Sequence, residues 1–173
     1  MISGTEWRIE LGDWRSHAEQ SAAARLLLCR LMDEEVVVEH NGKGAPFMPS
    51  HPGLWLSISH CRQAVAVAVS DRERVGIDVE SRRRVDGSLM RRVCSAAELA
   101  AVQASPDAVM AFLQLWTRKE AALKMRGTGI RGFGSMVHAL EGKDMAVEDL
   151  PCGGPEVVAS LARAKASTDE GRL

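Results

Sequence analysis

Two acidic side chains share one face of a predicted β-strand. In the segment RVGIDVE, residues 74–80, β-branched residues alternate with others, so Asp78 and Glu80 point to the same side. The rise of a strand separates them by roughly 6.6 Å, close enough to bind one ion together, or to raise each other's pKa when no ion is present. A polar strand face turned to solvent would show the same pattern, and both interpretations stay open at this point.

A predicted helix within residues 115–130 carries charge where its pattern should be apolar. At 3.6 residues per turn, Glu120 and Lys124 fall on the same stripe as Trp116. A carboxylate in such a stripe costs several kcal/mol to desolvate unless cations or donors compensate it. Together with the acidic strand, Glu120 makes a third oxygen ligand, and carboxylates without imidazole or thiolate favour Mg²⁺. The competing interpretation is a Glu/Lys ion pair at the rim of the core.

Polar residues also end or follow predicted strands elsewhere. Ser59 and His60 come directly after the strand predicted for 54–58, and we expect His60 to stand at the end of a central strand. A histidine that only closes a hairpin would look the same. Lys43 lies in a segment that glycine and proline mark as a loop, and loops often carry binding residues.

These motifs, in this order, resemble those of the 4′-phosphopantetheinyl transferases, specifically the two-lobed surfactin-synthetase-activating type. The resemblance runs from about Asn41 to Gly129 and rests on NGKGAPF, LSISHC, VGIDVE, CSAAELAAV and WTRKEAALK. The sequence departs from the family pattern at Ser57, where asparagine is common, at Cys61, and at the inserted Gly44-Ala45.

The resemblance implies transfer of 4′-phosphopantetheine from coenzyme A to a serine of an apo acyl or peptidyl carrier protein, with Mg²⁺ as cofactor. The serine proton would go to Glu98 or to a metal-bound water. The alternative is a homologue that binds coenzyme A or a carrier protein without catalysis. The implied site consists of three metal ligands, Asp78, Glu80 and Glu120, two lysines on the coenzyme's phosphates, Lys124 and Lys119, and further coenzyme contacts from Lys43, Ser59 and His60.

Composition excludes several other classes of function. With 173 residues, 46% hydrophobic content and a net charge of −1, the chain has no overall attraction to nucleic acid or anionic membranes. Its four cysteines lack zinc-site spacing and do not suggest a disulfide framework. The longest apolar run, residues 64–69, is too short to span a bilayer, and residues 1–11 lack the apolar core of a signal peptide. We therefore expect a soluble, cytoplasmic protein.

Periodicity and turn residues predict the elements that position these residues. Asp13 or Ser16 is expected to cap the first helix, and Asp107 lies at the start of the helix that holds Glu120. Gly127 and Gly129 should end that helix. The predicted strands are 5–11, 35–39, 54–58, 63–70, 136–140, 145–147 and 156–161, and the other predicted helices are 16–32 and 88–103.

The family resemblance implies an α+β fold of two similar small α/β lobes in a pseudo-twofold arrangement, with antiparallel sheets and packed helices. We expect residues 1–72 to form a shortened N-terminal lobe and residues 73–173 a C-terminal lobe with the metal site, the active site lying in the cleft between them. Because few residues precede the first helix, we expect missing outer strands and hence self-association, or cover by a carrier protein or synthase. The alternative is that residues 1–14 supply the missing edge.

Overall fold

The computed structural model describes residues 2–129 and 133–165 and has the expected α+β composition. The strands are β1 (Thr5–Leu11), β2 (Glu39–His40), β3 (Pro46–Phe47), β4 (Trp55–His60), β5 (Ala64–Ser70), β6 (Val75–Ser81), β7 (Met145–Leu150) and β8 (Val157–Ala164). The helices are α1 (His17–Met32), α2 (Gly87–Val93), α3 (Ala96–Ala104), α4 (Ala108–Arg126) and α5 (Phe133–Val137).

The N-terminal sheet has the antiparallel order β1-β5-β4, with β5 in the centre. Every residue of β5 is buried, as its run of Ala and Val predicts. Its valines, such as Val67, pack against α1, while its alanines, such as Ala66, pack against the strands of the other lobe. The strand β4, which ends at His60, is an outer strand of this sheet, so the expectation of a central strand there was wrong.

The strand β1 pairs with β5 along its whole length, from Thr5 opposite Ser70 to Leu11 opposite Ala64. The predicted strand at residues 5–11 is therefore confirmed, and it supplies the edge that we expected to be missing. Both faces of β5 are covered within the chain, which removes the physical reason for expecting self-association. Self-association itself stays a prediction.

The C-terminal sheet has the antiparallel order β6-β8-β7 and carries α4 on one face. Ala122 and Met125 of α4 pack against this sheet. Leu113 and Leu123 belong instead to a core that α4 shares with α2, α3, α5 and the segment after α5. The helix α4 thus lies between the sheet and the small helices, which explains why so many of its residues are buried.

Two serines of β4 connect the lobes. The hydroxyl of Ser57 accepts a hydrogen bond from the backbone N–H of Ile77 at 2.9 Å, and Ser59 accepts one from Val79 at 3.3 Å. Side-chain oxygens of one lobe thereby satisfy backbone donors on the outer edge of β6 in the other lobe. Ser57, noted as a departure from the family pattern, has this structural role.

Three further sequence expectations were wrong. Residues 35–38 are not a strand, because Val36 and Val38 pack against the N-terminal core without a strand partner. The helix expected at 88–103 is two helices, because Ser95 begins a new one by a capping box. The strand expected at 136–140 falls in α5 and the turn after it. Across the described part of the chain, every helix is too short or too polar to span a membrane.

Candidate functional site

The predicted acidic residues meet where α4 crosses β6, and a glycine allows this crossing. A Cβ atom at Gly76 would lie 2.0 Å from the carbonyl oxygen of Ala121 and 2.5 Å from the amide nitrogen of Met125, both in α4. Only a residue without a side chain lets the helix backbone come this close to the strand. Since Gly76, Asp78 and Glu80 alternate along β6, the carboxylates are placed on the same face, toward α4.

Asp78 is held by two donors. It is 6% exposed, and its Oδ1 accepts hydrogen bonds from Lys124 Nζ at 2.7 Å and from Ser59 Oγ at 2.7 Å. Lys124 Nζ also donates to the carbonyl oxygen of Ile77 at 3.1 Å. The helix α4 and the strand β6 are thus joined by a charge-assisted hydrogen bond, which is stronger than one between neutral groups.

Glu120 is the residue of the site whose pKa departs most from its ordinary value. The pKa of Glu120 is raised to about 7, chiefly by burial and then by the Asp78 and Glu80 carboxylates, while Lys124 opposes this only in part. The three predicted metal ligands therefore act on one another electrostatically.

The carboxylates fit a hard cation by their chemistry, but their side chains are engaged with basic partners. Arg83 donates to both oxygens of Glu80, each at 3.1 Å, while Asp78 faces Lys124. Within residues 2–129 and 133–165, no three His, Cys, Asp or Glu side chains are arranged to hold a metal ion in these conformations. The assignment of Asp78, Glu80 and Glu120 as metal ligands stays a prediction.

A pocket of 280 Å³ lies between the two lobes beside this acidic group. The pocket brings together three residues predicted from the sequence, Lys43, His60 and Lys124. Its lining also includes Arg25, which the sequence interpretation missed because a single arginine on an Ala- and Leu-rich helix matches no motif. Ser21 lines the pocket one turn before Arg25, so this face of α1 is polar.

His60 is fixed by residues of α1. Its Nδ1 lies 3.1 Å from Gln20 Oε1, and its ring contacts the ring of His17 edge to face, with 4.9 Å between centroids. Burial lowers the pKa of His60 below its ordinary value, and the nearby His17 and Lys124 lower it further. The neutral imidazole is therefore favoured in the free protein.

Lys119 and Glu98 form a separate pair away from the pocket. Lys119 is 0% exposed, and its Nζ donates to Glu98 Oε2 at 2.7 Å and to the carbonyl oxygen of Val93 at 2.8 Å. Burial alone would raise the pKa of Glu98, but hydrogen bonds from Lys119 and from the Ser95 backbone outweigh it and hold that pKa below its ordinary value. The contacts of these two residues join α4 to α2 and α3, and neither lines the pocket.

Comparison with known proteins agrees with the resemblance of the motifs. A family model described as the 4′-phosphopantetheinyl transferase superfamily matches residues 74–168, which include the acidic strand and all of α4.

Curated relatives match over a similar part of the chain. The 4′-phosphopantetheinyl transferase AcpT of Salmonella typhimurium is 35% identical over 109 residues, which are 61% of this chain and 57% of the relative. AcpT of Escherichia coli is 37% identical over 115 residues, 63% of this chain and 58% of the relative. The 4′-phosphopantetheinyl transferase psf-1 of Bacillus pumilus is 32% identical over 121 residues, 68% of this chain and 52% of the relative. The chain therefore spans little more than half the length of these relatives. Since the family model covers more than half of the chain, the protein belongs to the 4′-phosphopantetheinyl transferase superfamily.

Proposed function

We propose that this protein transfers 4′-phosphopantetheine from coenzyme A to the serine hydroxyl of an apo acyl or peptidyl carrier protein, releasing adenosine 3′,5′-bisphosphate. The observation that carries the proposal is the position of Lys124, which lines the basic pocket and is hydrogen-bonded to the buried Asp78. A pocket for an anionic substrate and a group of carboxylates are thereby adjacent. This combination suits a transfer at a diphosphate.

The pocket has the chemistry of a phosphate site. Arg25, Lys43 and Lys124 line it, and His60 lies among them. Cationic side chains that converge on one cavity favour phosphate oxygens through charge-assisted hydrogen bonds. At 280 Å³ the cavity is smaller than the whole coenzyme, so we infer that it holds the phosphate-bearing part while the remainder extends along the cleft.

Asp78, Glu80 and Glu120 would hold Mg²⁺. The ion would supply Lewis-acid stabilisation of the charge that develops on the leaving phosphate. The Asp78 and Glu80 carboxylates contribute to the raised pKa of Glu120, and this repulsion supports the assignment because a divalent cation would relieve it. Asp78 and Glu80 would exchange their present bonds to Lys124 and Arg83 for the ion. Lys124 would then be free to donate to a phosphate oxygen.

Glu98 is poorly suited to accept the serine proton. A general base works best when its pKa lies near the operating pH, whereas hydrogen bonds from Lys119 and from the Ser95 backbone hold the pKa of Glu98 below its ordinary value. Glu98 also does not line the pocket. Of the two acceptors that the resemblance implies, Glu98 and a metal-bound water, the geometry therefore disfavours Glu98.

Release of the nucleotide product tests the proposal. Purified protein is incubated with coenzyme A, MgCl₂ and an apo carrier protein, and adenosine 3′,5′-bisphosphate is measured by chromatography. We expect product only when all components are present, and loss of product with Asp78→Asn. Asp33→Asn is the matched control, because Asp33 is exposed and its left-handed conformation also suits asparagine. Equal activity of the two variants would contradict the proposed site.

No product with any carrier tested, together with tight binding of coenzyme A, would support the non-catalytic homologue. A cytoplasmic location stays a prediction from the sequence.

A further inference from the structure

A directed series of hydrogen bonds leads from the backbone of Trp14 to the ring of His60. Gln20 Nε2 donates to the carbonyl oxygen of Trp14 at 3.1 Å, and Gln20 Oε1 lies 3.1 Å from His60 Nδ1. On the other side of the ring, Ser21 Oγ lies 3.4 Å from His60 Nε2 and 3.5 Å from His17 Nδ1.

The backbone carbonyl decides the orientation of the Gln20 amide. A carbonyl oxygen only accepts hydrogen bonds, so the amide nitrogen of Gln20 must face Trp14, and its oxygen must face His60. That oxygen is also only an acceptor. The proton of the neutral imidazole therefore has to be on Nδ1 of His60.

The opposite nitrogen of His60 then carries a lone pair. Ser21 can donate its single hydroxyl proton to His60 Nε2 and accept from His17 Nδ1, which satisfies all three groups without conflict. With this assignment the ring offers no N–H at Nε2. A phosphate oxygen, which is an acceptor, has no donor there.

We propose that Gln20 is a positioning residue that keeps His60 in the Nδ1–H tautomer, so that His60 can hold a coenzyme phosphate through Nε2 only by taking up a proton. The second half rests on the proposed function, whereas the tautomer does not. Coenzyme binding would thus be linked to protonation of His60. Gln20 would prevent the ring from reaching the donor form by a simple tautomer change.

The charges around His60 favour this linkage. In the free protein burial is the main factor that disfavours the imidazolium form of His60, and basic side chains near the ring add to it. His17 on α1 and Lys124 on α4 contribute directly. An incoming phosphate reverses the sign of this field, so the proton becomes favourable once the substrate is bound. The other basic groups that line the same pocket are Arg25, His40 and Lys43.

Nitrogen NMR of the free protein tests the tautomer directly. With ¹⁵N-labelled histidine at pH 7.5, and with His60 assigned by its loss in His60→Asn, we expect a protonated Nδ1 and an unprotonated Nε2 in the wild type. Gln20→Leu should yield a mixture of tautomers, and Gln20→Glu should yield the imidazolium. Gln103→Glu is the control, because Gln103 is exposed on α3. A wild-type His60 protonated at Nε2 alone would overturn the proposal.

The affinity for coenzyme A tests the linkage. The wild-type Kd should rise with pH above the free pKa of His60, approaching about tenfold per pH unit, because binding requires a proton there. In Gln20→Leu this dependence should flatten, because the ring can present an Nε2–H without a proton. A purely structural role of Gln20 would shift the Kd equally at every pH and would overturn the linkage. Failure of the wild type to bind coenzyme A would count against the linkage and the proposed function together, while the tautomer result would stand.

Discussion

Replacement of Glu120 by glutamine should make the metal-free protein more stable and abolish the proposed transfer activity. Glu120 lies half-buried beside the Asp78 and Glu80 carboxylates, and burial is the main reason that its pKa is about 7. At pH 8 the folded protein must keep this carboxylate charged in unfavourable surroundings. Glutamine has nearly the same shape and carries no charge, so the substitution removes the penalty and also removes one of the proposed metal ligands.

The raised pKa of Glu120 determines the sign and the size of the change in the free energy of unfolding with pH. The folded state binds the Glu120 proton more tightly than the unfolded state, so the free energy of unfolding falls as pH rises from about 4.5 to about 7. A pKa of about 7 against an ordinary 4.5 corresponds to at most roughly 3 kcal/mol. Glu120 is only partly buried, and solvent screening reduces this to on the order of 1–2 kcal/mol.

Urea unfolding in EDTA at pH 5 and pH 8 measures this difference. We expect Glu120→Gln to exceed the wild type by on the order of 1–2 kcal/mol at pH 8 and by much less at pH 5. Glu35→Gln, at an exposed position, is the matched control and should change neither value appreciably. A Glu120→Gln protein that is less stable than the wild type at pH 8, or a stability difference that does not change with pH, would refute the reasoning.

Four other substitutions test separate parts of the structure. Lys119→Met should lower the free energy of unfolding by about 3 kcal/mol, because it leaves buried backbone carbonyls without a donor and removes the cation that pairs with the partly buried Glu98 carboxylate. Exposed Lys143→Met is the control, and an equal effect of both would contradict the buried position of Lys119. Gly76→Ala should destabilise the protein by about 3 kcal/mol or more, since its Cβ would overlap the backbone of α4; an unchanged urea midpoint would show that the helix does not pack so closely. Lys124→Ala should lower kcat more than it raises KM, whereas His60→Ala should chiefly raise KM for coenzyme A. Both are measured at saturating carrier, and the reverse pattern would contradict the roles proposed for Lys124 and His60.

The elements that carry the carboxylates could be predicted because their local patterns and their tertiary positions agree. Alternation along residues 75–81 and the helical stripe through Glu120 both correspond to real packing, in β6 and α4. The first helix begins at Ser16, where a capping box is visible in the sequence. The strand at residues 5–11 was also predicted. Its pairing with β5, which provides the N-terminal sheet with an outer strand, could be seen only in the structure.

The same capping signal was misinterpreted in another place. Ser95 and Glu98 form a capping box that begins α3, whereas the sequence interpretation gave Glu98 only a chemical role and continued one helix through Ser95. Side-chain donors at a helix start satisfy backbone groups that would otherwise be unpaired, and this broke the predicted helix in two. A motif that resembles a catalytic acid can therefore serve a local structural need as well.

The burial of individual lysines could not be predicted from α4 alone. Lys119 and Lys124 both belong to the motif WTRKEAALK, yet one is fully enclosed and the other lines the pocket. The difference depends on α2 and α3, which lie over Lys119 and supply its acceptors. Gln20 was missed for a similar reason, because its partner His60 is distant in sequence, and Arg25 was missed because it belongs to no motif.

The central claim is that the acidic group and Lys124 together transfer phosphopantetheine to a carrier serine. Intact-protein mass spectrometry of an apo carrier, after incubation with this protein, coenzyme A and MgCl₂, tests that claim most directly. We predict that the carrier gains the mass of one phosphopantetheinyl group, and that this gain is lost with EDTA, with Glu120→Gln, and with a carrier whose acceptor serine is alanine. A carrier whose mass stays unchanged with the wild-type protein, or increases equally with Glu120→Gln, would contradict it.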